Sequence, residues 1–370
     1  MAIPLHSKFR RILRSGINSI LVNFSKKQLN FEKIPTNEIK KILIVRINYR
    51  IGNIIFLTPL INALTQKMPQ AKIDVLIGAK FIAPLLEPMK NVNIVYDAPR
   101  SLLKNPFKLA NKVKEINANE YDLLISPIIS SGSANISTML IKAKYKLGFY
   151  CKETWSAANI TIPYPDQNRH EAIIPLSLMD AFKDDHKCTS KFLDINLTTK
   201  ERLNGNGYLD TLLDQKGVIR GAENTIIGIF RDARHDKKIE DTWWLPFIKK
   251  LLIKNPHFIF VDILPPNISD AIHPKALPIS FSNLRDLACF MSSLDFFICA
   301  DTGPMHLASA SYTPVIAFFN ATSADKYGPL GEYDRVVNVL HKPIDDVINE
   351  TINNIQEIKQ KKPTTNKVIK

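Results

Sequence analysis

Asp301-Thr302-Gly303-Pro304-Met305-His306-Leu307 gathers into one short stretch the groups needed to hold a phosphorylated ligand. An apolar run, Leu294 to Ala300, precedes it, and a second, Pro314 to Phe319, follows. The pattern predicts a strand, a turn at Thr302 and Gly303, and a helix that starts at Pro304. Proline is accepted in a helix's first turn, and Thr or Gly suits the cap before it. Such a helix start presents unpaired backbone N–H groups and the positive end of a dipole, which suits a phosphate. Asp301 adds a carboxylate for hydroxyls, and His306 a polar group one turn inward. The same residues also fit an ordinary strand-to-helix turn of an α/β protein.

Two more segments carry chemistry. Lys41-Ile42-Leu43-Ile44-Val45-Arg46-Ile47-Asn48-Tyr49-Arg50-Ile51-Gly52-Asn53, continuing through Thr58-Pro59-Leu60, reads as a buried strand, a glycine turn and a helix. Arg46, Asn48 and Arg50 flank that turn and could bind anionic groups. Ala233-Arg234-His235-Asp236-Lys237-Lys238, with Trp243-Trp244 after it, is a basic loop. It follows a predicted strand at its carboxyl end, where α/β sheets bind ligands. Lys237 is the first candidate for a phosphate contact and Lys238 a substitute; the alternative is a solvated basic turn.

In order and spacing the three segments resemble glycosyltransferase family 9, the ADP-heptose:lipopolysaccharide heptosyltransferases, over roughly residues 40 to 345. The resemblance implies an α/β protein of GT-B type, with two Rossmann-like doubly wound domains facing a cleft. It implies an inverting glycosyl transfer, and with no D-x-D-like acidic cluster in the right context no metal and no cofactor are expected. Lys237, Asp301, Thr302, Gly303 and His306 would hold the donor, with Asp301 on the sugar hydroxyls. Arg46, Asn48, Arg50, Gly52 and Asn53 would hold the acceptor. Asn53, Lys237 and Asp301 form the expected catalytic set. The partners implied are a nucleotide-sugar such as ADP-heptose and a lipopolysaccharide core acceptor.

The chain departs from the family pattern twice. Where the family carries a Gly-Asp turn whose aspartate acts as general base, this chain has Gly52-Asn53. An amide cannot accept a proton at neutral pH. Asn53 then orients the acceptor while another group takes the proton, or the chain belongs to a Gly-Asn branch, or it is a weak or inactive member. Asp97, His170 and Glu171 are candidate replacement bases. The second departure is Val261-Asp262-Ile263-Leu264-Pro265-Pro266, which lacks the glycine turn and Glu that the family places for the ribose.

Composition sets the frame. The chain has 370 residues, 45% apolar and 23% charged, which suits a globular protein of two domains. Net charge is +14, and half of it lies in residues 1–41, with nine Lys or Arg against two Glu. The tail from Gln356 adds five Lys against one Glu. Basic ends point to an anionic partner surface. Cys151, Cys188, Cys289 and Cys299 show no C-x-x-C spacing, which argues against metal or disulfide roles. No run of 18 apolar residues and no secretory signal pattern occurs. The expected location is cytoplasmic, peripheral on the inner membrane's cytoplasmic face.

Organisation follows. Leu5, Phe9, Ile12, Leu13, Ile17, Ile20, Leu21 and Phe24 recur at helical spacing among Lys8, Arg10, Arg11 and Arg14. This basic amphipathic segment either lies on an anionic inner-membrane surface or docks on the protein's own body. Strands are expected at Ile42–Ile47, Ile73–Ile77, Ile94–Tyr96, Leu123–Ser126, Thr225–Phe230, Phe258–Ile263, Phe296–Cys299 and Pro314–Phe319. Helices are expected at Ile54–Gln66, Leu102–Ala118, Trp243–Lys254, Asn283–Ser292, Met305–Ser311 and Ile344–Lys361. Alternation of this kind implies parallel sheets. Expected domains are a basic extension at 1–39, an acceptor domain at 40–204, a donor domain at 221–343 and a terminal helix with a basic tail at 344–370. Ser130-Ser131-Gly132-Ser133 reads either as a plain turn or as an acceptor contact. A non-catalytic sugar-nucleotide or glycolipid binder is the alternative function. Nucleic-acid binding is disfavoured because the charge sits in the tails without interleaved aromatics. A dinucleotide oxidoreductase is disfavoured because the first turn lacks G-x-G-x-x-G.

Overall fold

The computed structural model describes residues 33–99, 101–102, 105–129, 131–151, 154–165, 169–183, 190–265 and 268–362. The amphipathic segment at 5–24, Ser130, Pro266 and the tail beyond 362 lie outside the described residues. The described residues form two compact units. The first comprises those up to Tyr49, Leu60–Arg169 and Ile173–Ser190; the second comprises Arg50–Pro59, His170–Ala172 and those from Lys191 on.

The first unit is built on a six-stranded parallel sheet in the order β3-β2-β1-β4-β5-β6. The strands are β1 Lys41–Arg46, β2 Lys72–Ile77, β3 Val92–Asp97, β4 Tyr121–Ser126, β5 Ala143–Tyr150 and β6 Ile160–Pro163. Ile42, Leu43, Ile44 and Val45 are fully buried, so β1 has no solvent face and reads as an unbroken apolar run. Helices Pro106–Asn117 and Gly132–Leu140 are crossovers, capped by the side chains of Asn105 and Ser131.

The second unit repeats the plan. Its sheet runs β12-β11-β10-β7-β8-β9. The strands are β7 Thr225–Phe230, β8 Phe258–Ile263, β9 Leu277–Ile279, β10 Phe296–Ala300, β11 Val315–Phe319 and β12 Arg335–Asn338. Read from β7, this is the same doubly wound order as in the first unit. Trp244 and Phe318 stack at 5.5 Å in the core beneath helix Asp241–Lys254. Trp243 stacks on Phe247 at 5.0 Å. The tryptophan pair after the basic loop is therefore packing, not ligand contact.

Three expectations change. One helix over Ile54–Gln66 becomes two, Ile51–Ile55 and Thr58–Lys67. Pro59 has no N–H to give the Ile55 carbonyl, so the ladder breaks there. Helix Thr199–Gln215, opened by a capping box of Thr198 and Glu201, adds an element absent from the expected helices. Strands β5, β6, β9 and β12 and helix Gly132–Leu140 were not expected. Among the described residues, no helix is long and apolar enough to cross a membrane.

Doubly wound sheets bind ligands where strand order reverses, at the strands' carboxyl ends. In the second unit that point lies between β7 and β10, which pair in parallel. The loop with Lys237 leaves β7, and Asp301 leaves β10. In the first unit it lies between β1 and β4, and residues 47–49 leave β1.

Candidate active site

Lys237 Nζ stands 2.6 Å from Asp301 Oδ2. The pair joins the two loops that flank the switch point of the second sheet. Asp301 is only 5% exposed, whereas the Lys237 side chain is 32% exposed. The same Oδ2 also accepts from the Thr322 hydroxyl. Thr322 lies just past β11, the strand next to β10. A nearly buried carboxylate therefore has a neutral anchor behind it and a cation that reaches solvent.

The loop between β7 and helix Asp241–Lys254 is shaped by its own sequence. Ala233 and Ile239 dip into the apolar core, each 7% exposed. Arg234, His235 and Asp236 arch outward between them. His235 takes a left-handed backbone, φ 53°, and Lys237–Lys238 fold back through N–H bonds to the carbonyls of Arg234 and His235. Lys237 Nζ also lies 5.9 Å from the Tyr327 ring centroid. Lys238 pairs instead with Glu240 at 3.1 Å, which takes it out of the site.

Past Asp301 the chain enters helix Gly303–Ala310, with Thr302 as extended N-cap and Pro304 in the first turn. The Thr302 side chain makes no capping bond, so the first N–H groups are not closed off by it. His306, one turn in, is 5% exposed. Its Nδ1 is buried without a hydrogen-bond partner among the described residues. Burial first, then the neighbouring His170 and Lys237, pull its pKa down to about 3. His306 is therefore a neutral imidazole at physiological pH.

Helix Ile51–Ile55 packs on this helix. A Cβ on Gly303 would meet the Ile51 Cβ at 3.2 Å, and the Phe56 ring stands edge-on to His306 at 4.6 Å. Phe56 is also edge-on to His170 at 5.3 Å. The Ala172 N–H donates to His170 Nδ1 at 3.1 Å, so the ring proton sits on Nε2, 2.9 Å from the Gly328 carbonyl. Both nitrogens are committed, and burial pulls the His170 pKa down. His170 is thus a structural neighbour rather than a ready base.

The predicted residues thus separate into groups. Lys237, Asp301, Thr302, Gly303 and His306 come together in the second unit. Arg50, Gly52 and Asn53 belong to the same unit, through the packing of residues 50–59. Arg46 and Asn48 belong to the first unit, where the Asn48 carbonyl accepts from Gly78 N–H at 3.1 Å. Asp97 ends β3 of that unit. Ser131 caps a helix, accepting from Ala134 N–H at 3.3 Å. Glu171 packs with the second unit, its N–H on the Lys326 carbonyl at 3.0 Å. Burial first, then the Glu171 charge, raise the Tyr327 pKa; Arg50 opposes and Asp301 adds to the rise, so three charged side chains act on one phenol. Thr322, Tyr327 and Phe56 escaped the sequence reading. The signal for Thr322 was available: Asn320-Ala321-Thr322-Ser323 is a polar end on an apolar strand adjoining β10.

The family model for glycosyltransferase family 9 (heptosyltransferase) matches residues 281–354, which span β10, Asp301, helix Gly303–Ala310 and Thr322. Lipopolysaccharide heptosyltransferase 3 of Escherichia coli is 22% identical over 286 residues, 73% of this chain and 81% of that protein. A glycosyl transferase family 9 structure from Veillonella parvula superposes with TM-score 0.70 at 16% identity, covering 86% of this chain and 97% of that one. The Escherichia coli heptosyltransferase WaaC with ADP superposes with TM-score 0.65 at 16% identity, covering 86% and 99%.

Proposed function

We propose that the chain acts as a member of glycosyltransferase family 9, whose model matches residues 281–354, and that it moves a heptose, or a closely related sugar, from an ADP-sugar or other nucleotide-sugar to a lipopolysaccharide or lipooligosaccharide core. The single observation that carries the reading in this chain is the Lys237–Asp301 pair at the switch point of the second sheet, beside the start of helix Gly303–Ala310.

The chemistry follows from the charges. Glycosyl transfer breaks the bond between the anomeric carbon and a phosphate oxygen, and negative charge grows on the departing diphosphate. Preorganised cations and N–H groups stabilise that charge at no reorganisation cost. Lys237 supplies the cation. Its part-exposed ammonium turns from Asp301 toward the phosphate next to the sugar. The N–H groups of Thr302 and Gly303 supply the dipoles. Asp301, released on one side and still held by Thr322, accepts hydroxyls of the sugar. Neutral His306 adds a polar edge without a competing charge.

The acceptor hydroxyl attacks from the opposite face of the sugar, which inverts the anomeric centre, and its proton passes to Asp97 or Glu171, the two candidate bases that remain once His170 is committed to Gly328 and Ala172. Asn53 orients that hydroxyl, with Arg46, Asn48 and Arg50 meeting anionic groups of the core and Gly52 letting the turn that carries Asn53 seat against His306. Residues 1–30 hold the enzyme against the anionic cytoplasmic face of the inner membrane, where a lipid-anchored acceptor resides. Deleting them should release the protein from anionic vesicles; unchanged binding removes the membrane role.

The test is direct. Purified protein is given ADP-heptose and a truncated core acceptor, and product mass is read by mass spectrometry. A gain of one heptose is expected. Donor binding with neither transfer nor hydrolysis across a set of acceptors would instead favour the non-catalytic alternative, which Asn53 motivates. Mass analysis of the cell's lipooligosaccharide with and without the gene names the sugar.

A further inference from the structure

Arg231 directly follows β7 and is 6% exposed. Its guanidinium reaches two carboxylates on two elements. Nη1 donates to Asp241 Oδ1 at 2.6 Å, at the first residue of helix Asp241–Lys254. Nε lies 3.3 and 3.2 Å from the two oxygens of Asp262, and Nη2 is 3.1 Å from Oδ2. Asp262, in β8, is 1% exposed and also accepts from the Ile272 N–H at 2.9 Å.

The loop that carries Lys237 leaves the sheet at Arg231 and rejoins the fold at Asp241. One side chain therefore spans both feet of the loop and ties them to the neighbouring strand. A buried ion pair is a poor source of stability compared with apolar packing of the same volume. What it supplies is fixed geometry. A guanidinium presents a planar fork that meets two acceptors in set directions, which an ammonium cannot do. The arrangement also accounts for Asp262. It is the carboxylate at the end of β8, where the family's ribose-binding Glu is missing from the sequence. Here it faces Arg231 and Ile272 instead of a ligand.

We propose that Arg231 is a positioning residue for the donor diphosphate: it clamps the feet of the 231–240 loop and so sets the height at which Lys237 meets Asp301 and the sugar-proximal phosphate. The proposal rests on the phosphate-binding reading of Lys237. Arg231 touches no substrate. Its effect passes through Lys237 and is confined to the phosphate that Lys237 reaches.

The experiment is a double-mutant cycle read by calorimetry with ADP and AMP as probes. Lys237→Met should weaken ADP about tenfold or more and AMP about twofold or less, because only ADP carries the second phosphate. Arg231→Met should also weaken ADP about tenfold and leave AMP nearly unchanged, yet cost ADP less than about threefold further when Lys237 is already Met. Arg231→Lys should recover only part of the loss. Asp241→Asn cuts the arm to a carboxylate whose side chain is 63% exposed and leaves the buried pair intact. It should weaken ADP alone, by about threefold, and it carries the test if Arg231→Met does not fold by circular dichroism. Equal losses for ADP and AMP, or a full Arg231→Met effect in the Lys237→Met background, would overturn the clamp and leave Arg231 merely structural. An unchanged ADP affinity in Lys237→Met would overturn the phosphate-site reading itself, and the clamp with it.

Discussion

A side chain at Gly52 cannot coexist with the present ring of His306: a Cβ there would lie 2.5 Å from Cδ2 and 3.2 Å from Nε2. The glycine of the first helix and the histidine of the Asp301 motif therefore share one space. Helix Ile51–Ile55 can approach helix Gly303–Ala310 only because Gly52 offers no Cβ. Neither residue's role is legible alone, since a glycine at a turn and a buried histidine each have ordinary explanations.

Gly52→Ala should therefore act through His306. The imidazole must rotate or the helices must part, which costs about 1–3 kcal/mol as for other overpacked sites. A lowered midpoint in urea, together with a rise in donor KM, is the expected pair of readings. Gly303→Ala meets its nearest atom at 3.2 Å, so it should cost less than Gly52→Ala. The reverse order would mean that the glycine at residue 52 is not there for the histidine.

Lys237→Met and Asp301→Asn separate charge from shape. Losing one preorganised group at a developing oxyanion costs roughly 10²–10³ in kcat. Lys237→Met should show that loss with Asp301 still held by Thr322. Asp301→Asn keeps the volume and the Thr322 contact but frees the lysine. It should raise donor-sugar KM more than it weakens ADP. Single-turnover transfer assays with ADP titrations measure both, and an Asp301→Asn enzyme weakened equally toward ADP and the full donor would place Asp301 on the phosphates.

Asn53 has no proton to exchange in the ordinary range, so Asn53→Ala removes orientation alone. A fall of about 10–10² in kcat is expected, short of the roughly 10⁴ that loss of a general base can reach. Asn53→Asp adds a carboxylate of ordinary pKa near ~4 and should introduce a new acid limb in the kcat/KM profile. An Asn53→Asp profile that overlays the parent's would show that residue 53 does not face the acceptor hydroxyl.

What the sequence could disclose followed from how local each signal was. β7 and β8 were readable to the residue because buried parallel strands are continuous apolar runs bounded by polar turns. The helix from Ile344 to Lys361 was readable from its period. β9 and β12 are edge strands of three and four residues, too short to carry a pattern. In the site, Asp301 and Lys237 were legible because each sits at the end of a readable strand. Thr322, Tyr327 and the Arg231 clamp were not, because their meaning is set by partners far along the chain. Arg231 reads in sequence as one more cation of a basic loop. Only the fold brings Asp262 beside it.

Arg285 is a stability prediction of the same nonlocal kind. It is 7% exposed and holds Glu201 through Nε at 2.7 Å and Nη2 at 3.0 Å, while Nη1 caps the Ile195 carbonyl at 2.8 Å. The Arg285 bonds are the first cause that draws the Glu201 pKa down to about 2, burial opposing and Thr198 adding to it. A lowered carboxylate stabilises the fold above its ordinary pKa and loses that contribution as pH falls toward about 2. Arg285→Met strands a half-buried carboxylate and should cost about 3–5 kcal/mol at pH 7. That deficit should shrink between pH 4.5 and 2, and urea titrations across that range test it; a deficit independent of pH would assign the cost to packing.

His306 makes the opposite acid prediction. Its folded pKa is about 3, set first by burial, against an ordinary value near 6.5. Below pH ~6.5 the unfolded chain takes up a proton that the folded chain refuses, so stability falls with acidification until the folded group also titrates. The slope for one such group approaches ~1.4 kcal/mol per pH unit. His306→Gln removes the term and keeps a polar side chain of similar reach. The parent should lose more stability than the variant between pH 7 and 4.5, by up to about 3 kcal/mol. His170, also lowered by burial, adds a second contribution in the same direction that both proteins share. Nitrogen chemical shifts of His306 should stay those of a neutral ring at pH 5. A ring that titrates near pH 6 in the folded protein would mean that Nδ1 finds a partner in solution, and the neutral polar edge assigned to the donor site would have to be given up.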